Sequence, residues 1–169
     1  MDQPLWQIVY KFNRLSALHR LNMHAIMRAH HLHFGQLPML EFVMRKPGCS
    51  QKEVAEFLQV SPPSIATSVK RMQRAGLLEK QGDPQDLRLT RLYVTPAGRD
   101  AAQGCRKDAD ALDARIFAGT SAAQRAQFAQ FLQCMIDNLA TEEQRRMPFF
   151  SLMRQMHTLE REEKNEGKG

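Results

Sequence analysis

Between Ser50 and Thr95 two helix starts follow each other closely, and the chain can satisfy both only by folding a tight corner. Ser50 with Glu53 three residues later forms a capping box, the pattern that satisfies the orphan amides at a helix N-terminus. Val54, Ala55 and Leu58 make the apolar side of that short helix. Ser61 is the next N-cap, and Pro62 falls at the first helical position, where a missing amide hydrogen does no harm. The three residues in between fit a helix-turn-helix corner. On the second helix Ile65, Val69 and Met72 face inward by their spacing, which turns Ser64, Thr67, Ser68, Lys70, Arg71 and Arg74 outward. Small hydroxyls followed by cations suit a major groove, because they allow close approach, hydrogen bonds to base edges and neutralisation of phosphates.

Gly76 is placed to cap this helix. Two short apolar runs then flank a turn rich in Gly, Asp and Pro, which predicts a β-hairpin. Leu87, Leu89 and Leu92 are candidates to seat the hairpin on the helices, with Arg88 and Arg91 on or near its tip. A helix-turn-helix with an appended hairpin is a winged helix, and such a wing reaches a groove or phosphates beside the reading helix.

The net charge of +6 is unevenly spread. Residues 1–49 hold 6 cations and 2 anions, residues 50–99 hold 8 and 5, and residues 100–169 hold 10 and 11. The front of the molecule is thus the part suited to a polyanion such as double-stranded DNA. The N-terminus lacks the apolar core of a secretory signal, and no run of eighteen apolar residues exists to span a membrane. Three cysteines without paired or metal-type spacing (Cys49, Cys105, Cys134) fit a reducing cytoplasm.

Residues 3–31 predict a long helix, with Leu5, Ile8, Val9, Phe12 and Leu15 at helical spacing and Leu18, Leu21, Ala25, Ala29 and Leu32 extending the apolar side. A helix of that length commonly reaches a second subunit. Trp6 and Tyr10 suit either a dimer core or the wall of a small-molecule pocket. His24, His30, His31 and His33 crowd together, and one helical turn would bring His30 and His33 side by side, yet no nearby acid or cysteine completes a metal set. Solvated or packing histidines are the expectation, and neither a metal nor another cofactor is predicted.

Pro38 fits the first turn of the next helix, whose core residues are Leu37, Leu40, Phe42, Val43 and Met44; Pro47-Gly48 ends it. Cys49, beside the Ser50 cap, is either a reactive thiol or a small buried hydrophobe. Thr95-Pro96 opens a helix with Gly98, Ala101, Ala102, Cys105, Ala109, Leu112 and Ile116 on one side, and with Asp108, Asp110 and Asp113 expected in solvent. Ser121 and Gln124 form another capping box, ahead of the stripe Phe128, Phe131, Leu132, Met135, Ile136 and Leu139. Residues 140–147 are charged, Pro148 after them interrupts or restarts the helix, and Phe149, Leu152, Met153, Met156 and Leu159 make an apolar tail that packs on a partner subunit or covers the body. Residues 160–169 have the composition of a disordered end.

The order of these signals resembles the MarR family of bacterial transcriptional regulators. The residues that carry the likeness are the Gly35-Gln36 turn, Ser50-Gln51-Lys52-Glu53-Val54-Ala55, Val60-Ser61-Pro62-Pro63-Ser64, Asp86-Leu87-Arg88 and Tyr93-Val94-Thr95-Pro96-Ala97-Gly98. The resemblance implies a homodimer joined by N- and C-terminal helices, each subunit offering a winged helix to half of a pseudo-palindromic operator. It carries the major-groove role onto Ser61, Pro63, Ser64, Thr67, Ser68 and Lys70, and phosphate or intramolecular roles onto Arg71 and Arg74. It makes Asp86 the residue that orients Arg88, with Arg88 entering the minor groove. Many such proteins repress until a small aromatic or lipophilic molecule enters a cleft. Here that cleft is expected between the first helix (Tyr10, Arg14, His19), the second helix and the helix after Pro96. Two features depart from the family pattern: Leu87 stands where a second arginine is common, and the tail beyond Leu139 is long.

The expectation is therefore a mostly α protein with a small β-hairpin wing. Residues 35–99 form the winged module, with 1–34 and 100–159 the helical dimerisation region of a single domain spanning 1–169. No Walker loop, nucleophile elbow or HExxH is present, and no catalytic residue is nominated. The competing expectation is a winged-helix protein-interaction module without operator binding, motivated by Leu87 and the apolar tail.

Overall fold

Local capping decides where nearly every element begins. The computed structural model describes residues 3–83, 86, 89–149, 151–153, 155, 156 and 158. Its elements are α1 (Leu5–Ala29), α2 (Gln36–Arg45), α3 (Gln51–Leu58), α4 (Pro62–Arg74), β1 (Leu78–Gly82), β2 (Thr90–Val94), α5 (Pro96–Ile116), α6 (Ala122–Leu139) and α7 (Glu142–Arg146). Ser50, Ser121 and Thr141 each close a reciprocal capping box, with Glu53, Gln124 and Gln144. Ser61 holds the N-cap position of α4 without capping an amide; its Oγ lies 2.8 Å from Ser64 Oγ. At the far end of α4, Gly76 takes φ 69°, so that its N–H donates to the Gln73 carbonyl and the Leu77 N–H to the Met72 carbonyl. That is a Schellman stop, which favours glycine.

One core joins α2, α3, α4, the hairpin and the front of α5. Leu37, Leu40, Val43, Val54, Ala55, Leu58, Ile65, Val69, Met72, Leu92, Ala102 and Cys105 are all buried in it, as the spacing predicts. Met39 and Cys49 join them, whereas Phe42 and Met44 are only partly covered. Cys49 serves as a small hydrophobe: burial pushes its thiol pKa up, against the depressed value a reactive thiol needs.

β1 and β2 pair antiparallel, with Lys80 opposite Leu92 and Gln81 opposite Arg91. Cys49 adds a third rung, because Gly48 N–H donates to the Leu92 carbonyl and Leu92 N–H to the Cys49 carbonyl, both at 2.9 Å. Of the two described leucines, Leu92 seats the hairpin. Leu89 is exposed, and Leu87 lies outside the described residues.

The front of α5 explains the Thr-x-x-Gly start. Thr95 Oγ1 accepts the Gly98 N–H at 3.0 Å and donates to the Gly76 carbonyl at 2.6 Å. A Cβ at residue 98 would sit 2.1 Å from the Leu77 carbonyl oxygen. Further along α5 the acids expected in solvent stay half exposed, but each meets a partner: Asp108 with His30 at 2.7 Å, Asp110 with Arg106 at 3.8 Å and Asp113 with His19 at 3.6 Å. The histidine pairing fails because α1 stops at Ala29 and His31 turns left-handed at φ 55°. His30 instead lies over Gly104. Among the described residues no three His, Cys, Asp or Glu side chains come together as metal ligands, and no helix is long and apolar enough to cross a membrane.

The two helices α1 and α6 have no fully buried residue. Every residue of α1 and α6 is at least partly exposed, including Leu5, Trp6, Phe12, Phe131, Ile136 and Leu139. The tail beyond α7 does pack: Met153 is buried and Ser151 Oγ donates to the Gln59 carbonyl at 3.2 Å. Residues 160–169 lie outside the described residues.

Two measurements test this packing. Helix propensity alone would favour Gly98→Ala by about 1 kcal/mol, but the clash with Leu77 should destabilise the protein by roughly 2 kcal/mol, read as a lower Tm. Glu53, held by Lys46 Nζ and by the Ser50 N–H and hydroxyl, has its pKa lowered to about 2. A depressed folded-state pKa means that the contribution is complete above the ordinary value of 4.5 and is lost as pH falls towards 2. In acid titrations from pH 5 to 2, Glu53→Gln should therefore lose less stability than the wild type.

Candidate nucleic-acid interface

The face of α4 opposite Ile65, Val69 and Met72 is open. Ser61, Pro63, Ser64, Thr67, Lys70, Arg71 and Arg74 are exposed and Ser68 is half-buried. Internal bonds hold the hydroxyls in place: Thr67 Oγ1 donates to the Pro63 carbonyl at 3.0 Å, and the Ser61 and Ser64 hydroxyls share one hydrogen bond. Each oxygen keeps acceptor capacity for a ligand. None of the ion pairs among the described residues uses Lys70, Arg71 or Arg74, so an intramolecular role for the two arginines is not seen there. Three cations without an acid partner among the described residues give that helix face a positive charge, which suits a polyanion.

The wing stands beside this face, and its base is braced. Asp83 is 8% exposed; its N–H donates to the Leu89 carbonyl, and its Oδ1 accepts the Asp86 N–H at 3.3 Å. Arg91 Nε and Nη2 both lie 2.6 Å from Asp83 Oδ2, while Nη1 reaches the Gly48 carbonyl at 3.4 Å. Arg91 thus does not sit at the tip. It ties the wing turn to the loop between α2 and α3, and sequence reading missed the pairing because Asp83 and Gly48 become its neighbours only through the hairpin register. Asp86 is exposed at the turn. Arg88 lies outside the described residues.

The residues nominated for an effector are not brought together in one chain. Tyr10 and Arg14 lie on the open part of α1, and only His19 touches α5, through Asp113. A shallow cleft of about 380 Å³ does form between α2 and α5, lined by Glu41, Met44, Gln103, Arg106, Lys107 and Asp110. Arg106 Nε bonds Glu41 Oε1 across it at 2.7 Å.

A small core carrying an open cationic reading helix and a hairpin at its side defines a winged helix-turn-helix DNA-binding protein. Residues 31–89 match the sequence profile of the MarR family. The chain is similar to the HTH-type transcriptional repressor Rv2887 of Mycobacterium tuberculosis, 26% identical over 132 residues that span 78% of this chain and 93% of that one. It is also similar to the crystal structure of the MarR family transcription regulator SP03579 (25% identity, TM-score 0.66, 82% of this chain and 93% of that one). The S. aureus MepR–DNA complex shares the fold, at 19% identity and TM-score 0.66, over 78% of this chain and 99% of that one. Residues 31–89 thus carry a MarR-type winged helix-turn-helix, and the chain as a whole is similar to DNA-binding transcriptional regulators.

The thiols supply a direct check on the module's packing. Cys49 and Cys105 are buried with raised pKa values, desolvation being the main cause, and Cys134 is exposed. A thiol-specific reagent should leave Cys49 and Cys105 unmodified in the native protein and reach both only on unfolding; rapid native labelling of Cys49 would revive the redox alternative.

Proposed function

We propose that the protein is a cytoplasmic homodimeric repressor that occupies a pseudo-palindromic operator and leaves it when a small aromatic or lipophilic molecule binds. The observation that carries this reading is the pairing of two open apolar helices, α1 and α6, with a reading face whose cations have no acid partner among the described residues. Exposed apolar stripes of that length ask for a partner, and a second copy answers with the same surface under two-fold symmetry. Two-fold symmetry gives two reading heads, which fit half-sites about 34 Å apart, one turn of B-form DNA.

In this reading Ser61, Pro63, Ser64, Thr67, Ser68 and Lys70 meet the major groove, and Arg71 and Arg74 meet phosphates. Asp86 orients Arg88, and Arg88 enters the minor groove, most favourably where an A·T-rich sequence narrows it. Arg91 acts at one remove, by holding the wing. Repression is supported by the related Mycobacterium tuberculosis protein, whose name describes a repressor. The effector's place is the side of the cleft where α2 meets α5. Tyr10 and Arg14 would join only through the dimer, and His19 through its contact with Asp113. A ligand that separates Glu41 from Arg106 would shift the head against α5, and it releases DNA only by binding that shifted state more tightly. The interaction-module alternative keeps Phe149 of the apolar tail as an exposed apolar side chain, although Met153 is buried in its own chain.

Sedimentation should give twice the 19.4 kDa chain mass. Selection of bound fragments from genomic DNA should yield a two-fold site. On that site Arg88→Ala should weaken binding by about 1–3 kcal/mol and lower the log–log salt slope by about 1. Arg91→Met should weaken binding with the slope unchanged, because a residue that positions the wing releases no counterion of its own. An Arg88→Ala protein with wild-type affinity would remove the wing from the reading surface.

A further inference from the structure

Beyond α6 the described residues as far as Met153 are built rather than frayed. Ala140 leaves the helix in an extended conformation, and Thr141 restarts it with a reciprocal box to Gln144. Arg145 Nη2 donates back to the Asp137 carbonyl at 2.7 Å, which folds α7 onto the last turn of α6. Pro148 interrupts again, and its carbonyl accepts the N–H groups of Ser151 and Leu152 at 2.9 and 3.2 Å. These local bonds aim the segment at one spot, the corner between α3 and α4. Ser151 Oγ donates to the Gln59 carbonyl, Met153 is 9% exposed, and Gln59 with Glu142, Glu143, Arg146 and Met147 lines a cleft of about 460 Å³.

Gln59 is an unusual landing point. It ends α3 in the left-handed region, at φ 48° and ψ 46°, where a side chain costs roughly 1 kcal/mol or more and glycine is the ordinary choice. The strain sits in the three residues that set the angle between α3 and the reading helix. The arm also touches the corner without covering the surface: Ser61, Pro63, Ser64, Thr67, Lys70, Arg71 and Arg74 remain exposed with it in place. A contact that binds a hinge and leaves the reading face open fixes geometry rather than blocking access. Solved relatives match over nearly their whole length, 99% for the MepR–DNA complex, yet leave about a fifth of this chain without a counterpart.

We propose that residues 141–153 are a positioning arm that ties the helix-turn-helix corner to the end of α6, so that the reading helix enters DNA already held at its working angle. The proposal rests on the operator-binding dimer reading, in which α6 belongs to the dimer. Ser151 and Met153 are the positioning residues. The arm lowers the ordering cost of binding by limiting the motion of the corner before DNA arrives.

The test uses full-length protein with Ser151→Ala, Ser151→Thr and Met153→Asp, the selected operator as probe, and hydrogen exchange of the α3–α4 corner. Ser151→Ala removes one solvent-exposed hydrogen bond and keeps the chain folded if Met153→Asp does not. Amides of Val60, Ser64 and Ile65 should exchange several-fold faster in Ser151→Ala, and the operator Kd should rise about fivefold, the scale of one net hydrogen bond. Dimer mass and salt slope should stay unchanged, and Ser151→Thr, which keeps the hydroxyl, should restore both readouts. Unaltered corner exchange in Ser151→Ala and Met153→Asp would overturn the proposal. So would tighter operator binding, since that would make the arm an obstruction. A wild-type protein with no operator preference would defeat the operator reading instead, and corner exchange would still decide whether the arm holds the hinge.

Discussion

The two hydrogen bonds between Leu92 and the Gly48–Cys49 loop make one body out of what would otherwise be a helix pair and a loose hairpin. A two-stranded hairpin is marginal by itself in water. Here β2 is paired on both edges, by β1 and by Cys49, and the fully buried Leu92 side chain pins the rung into the core among Val43, Val54 and Met72. Arg91 adds a charged tie from the same strand to both Asp83 and the Gly48 carbonyl. The angle between wing and reading helix is therefore set by backbone pairing and one ion pair, neither of which touches the reading face. That separation lets the outward residues vary with the DNA sequence while the geometry stays fixed.

What was legible in the sequence was what is local. Caps at Ser50, Thr95 and Ser121, the glycine stop at Gly76, and the stripe Ile65, Val69 and Met72 depend on residues within a turn or two of one another, and the structure reproduces each; Ser61 takes the N-cap position, but its hydroxyl turns to Ser64. What escaped depends on distant partners. Asp108 reads as a solvent acid until α5 is laid against α1 and it meets His30, seventy-eight residues earlier. Arg91 reads as a tip residue until the register sets it opposite Gln81 and beside Asp83. The histidine pairing failed for a local reason that composition hides: the helix ends one residue before His30, and His31 turns the other way. Arg88, the residue on which the minor-groove role depends, lies outside the described residues.

The charge pattern and the exposure pattern divide the molecule in the same way. The excess of cations belongs to residues 1–99, and the unpartnered ones of α4 lie on the reading face. Residues 100–169, nearly neutral in sum, supply α5 and α6 and the arm. A neutral, greasy half suits association with a copy of itself, whereas a cationic half would resist it. The α1 stripe belongs with the greasy half despite its position in sequence, because only its C-terminal residues Ile26 and Met27 pack on the core of the module.

Because the winged module is stiff internally, its motion relative to the long helices must occur where it meets α5. At one such place Gly98 is so close to Leu77 that no side chain fits, which makes it a fixed point. Further along α5 the junction is softer. There α2 and α5 are joined across an open cleft by Arg106 and Glu41, a pair whose members are half and a quarter exposed and so readily exchanged for water or ligand. Ala102 and Cys105, buried in the core that α5 shares with α2, hold the two helices together beside that pair, so any play lies beyond Cys105. The hairpin and α4 belong to the same stiff module as α2, so in the proposed reading a change at Glu41–Arg106 would be passed to the α4 face. An arm seated on the α3–α4 corner meets the same module from a third side and opposes such play. Occupancy of the cleft and seating of the arm would then act in opposite directions on one angle.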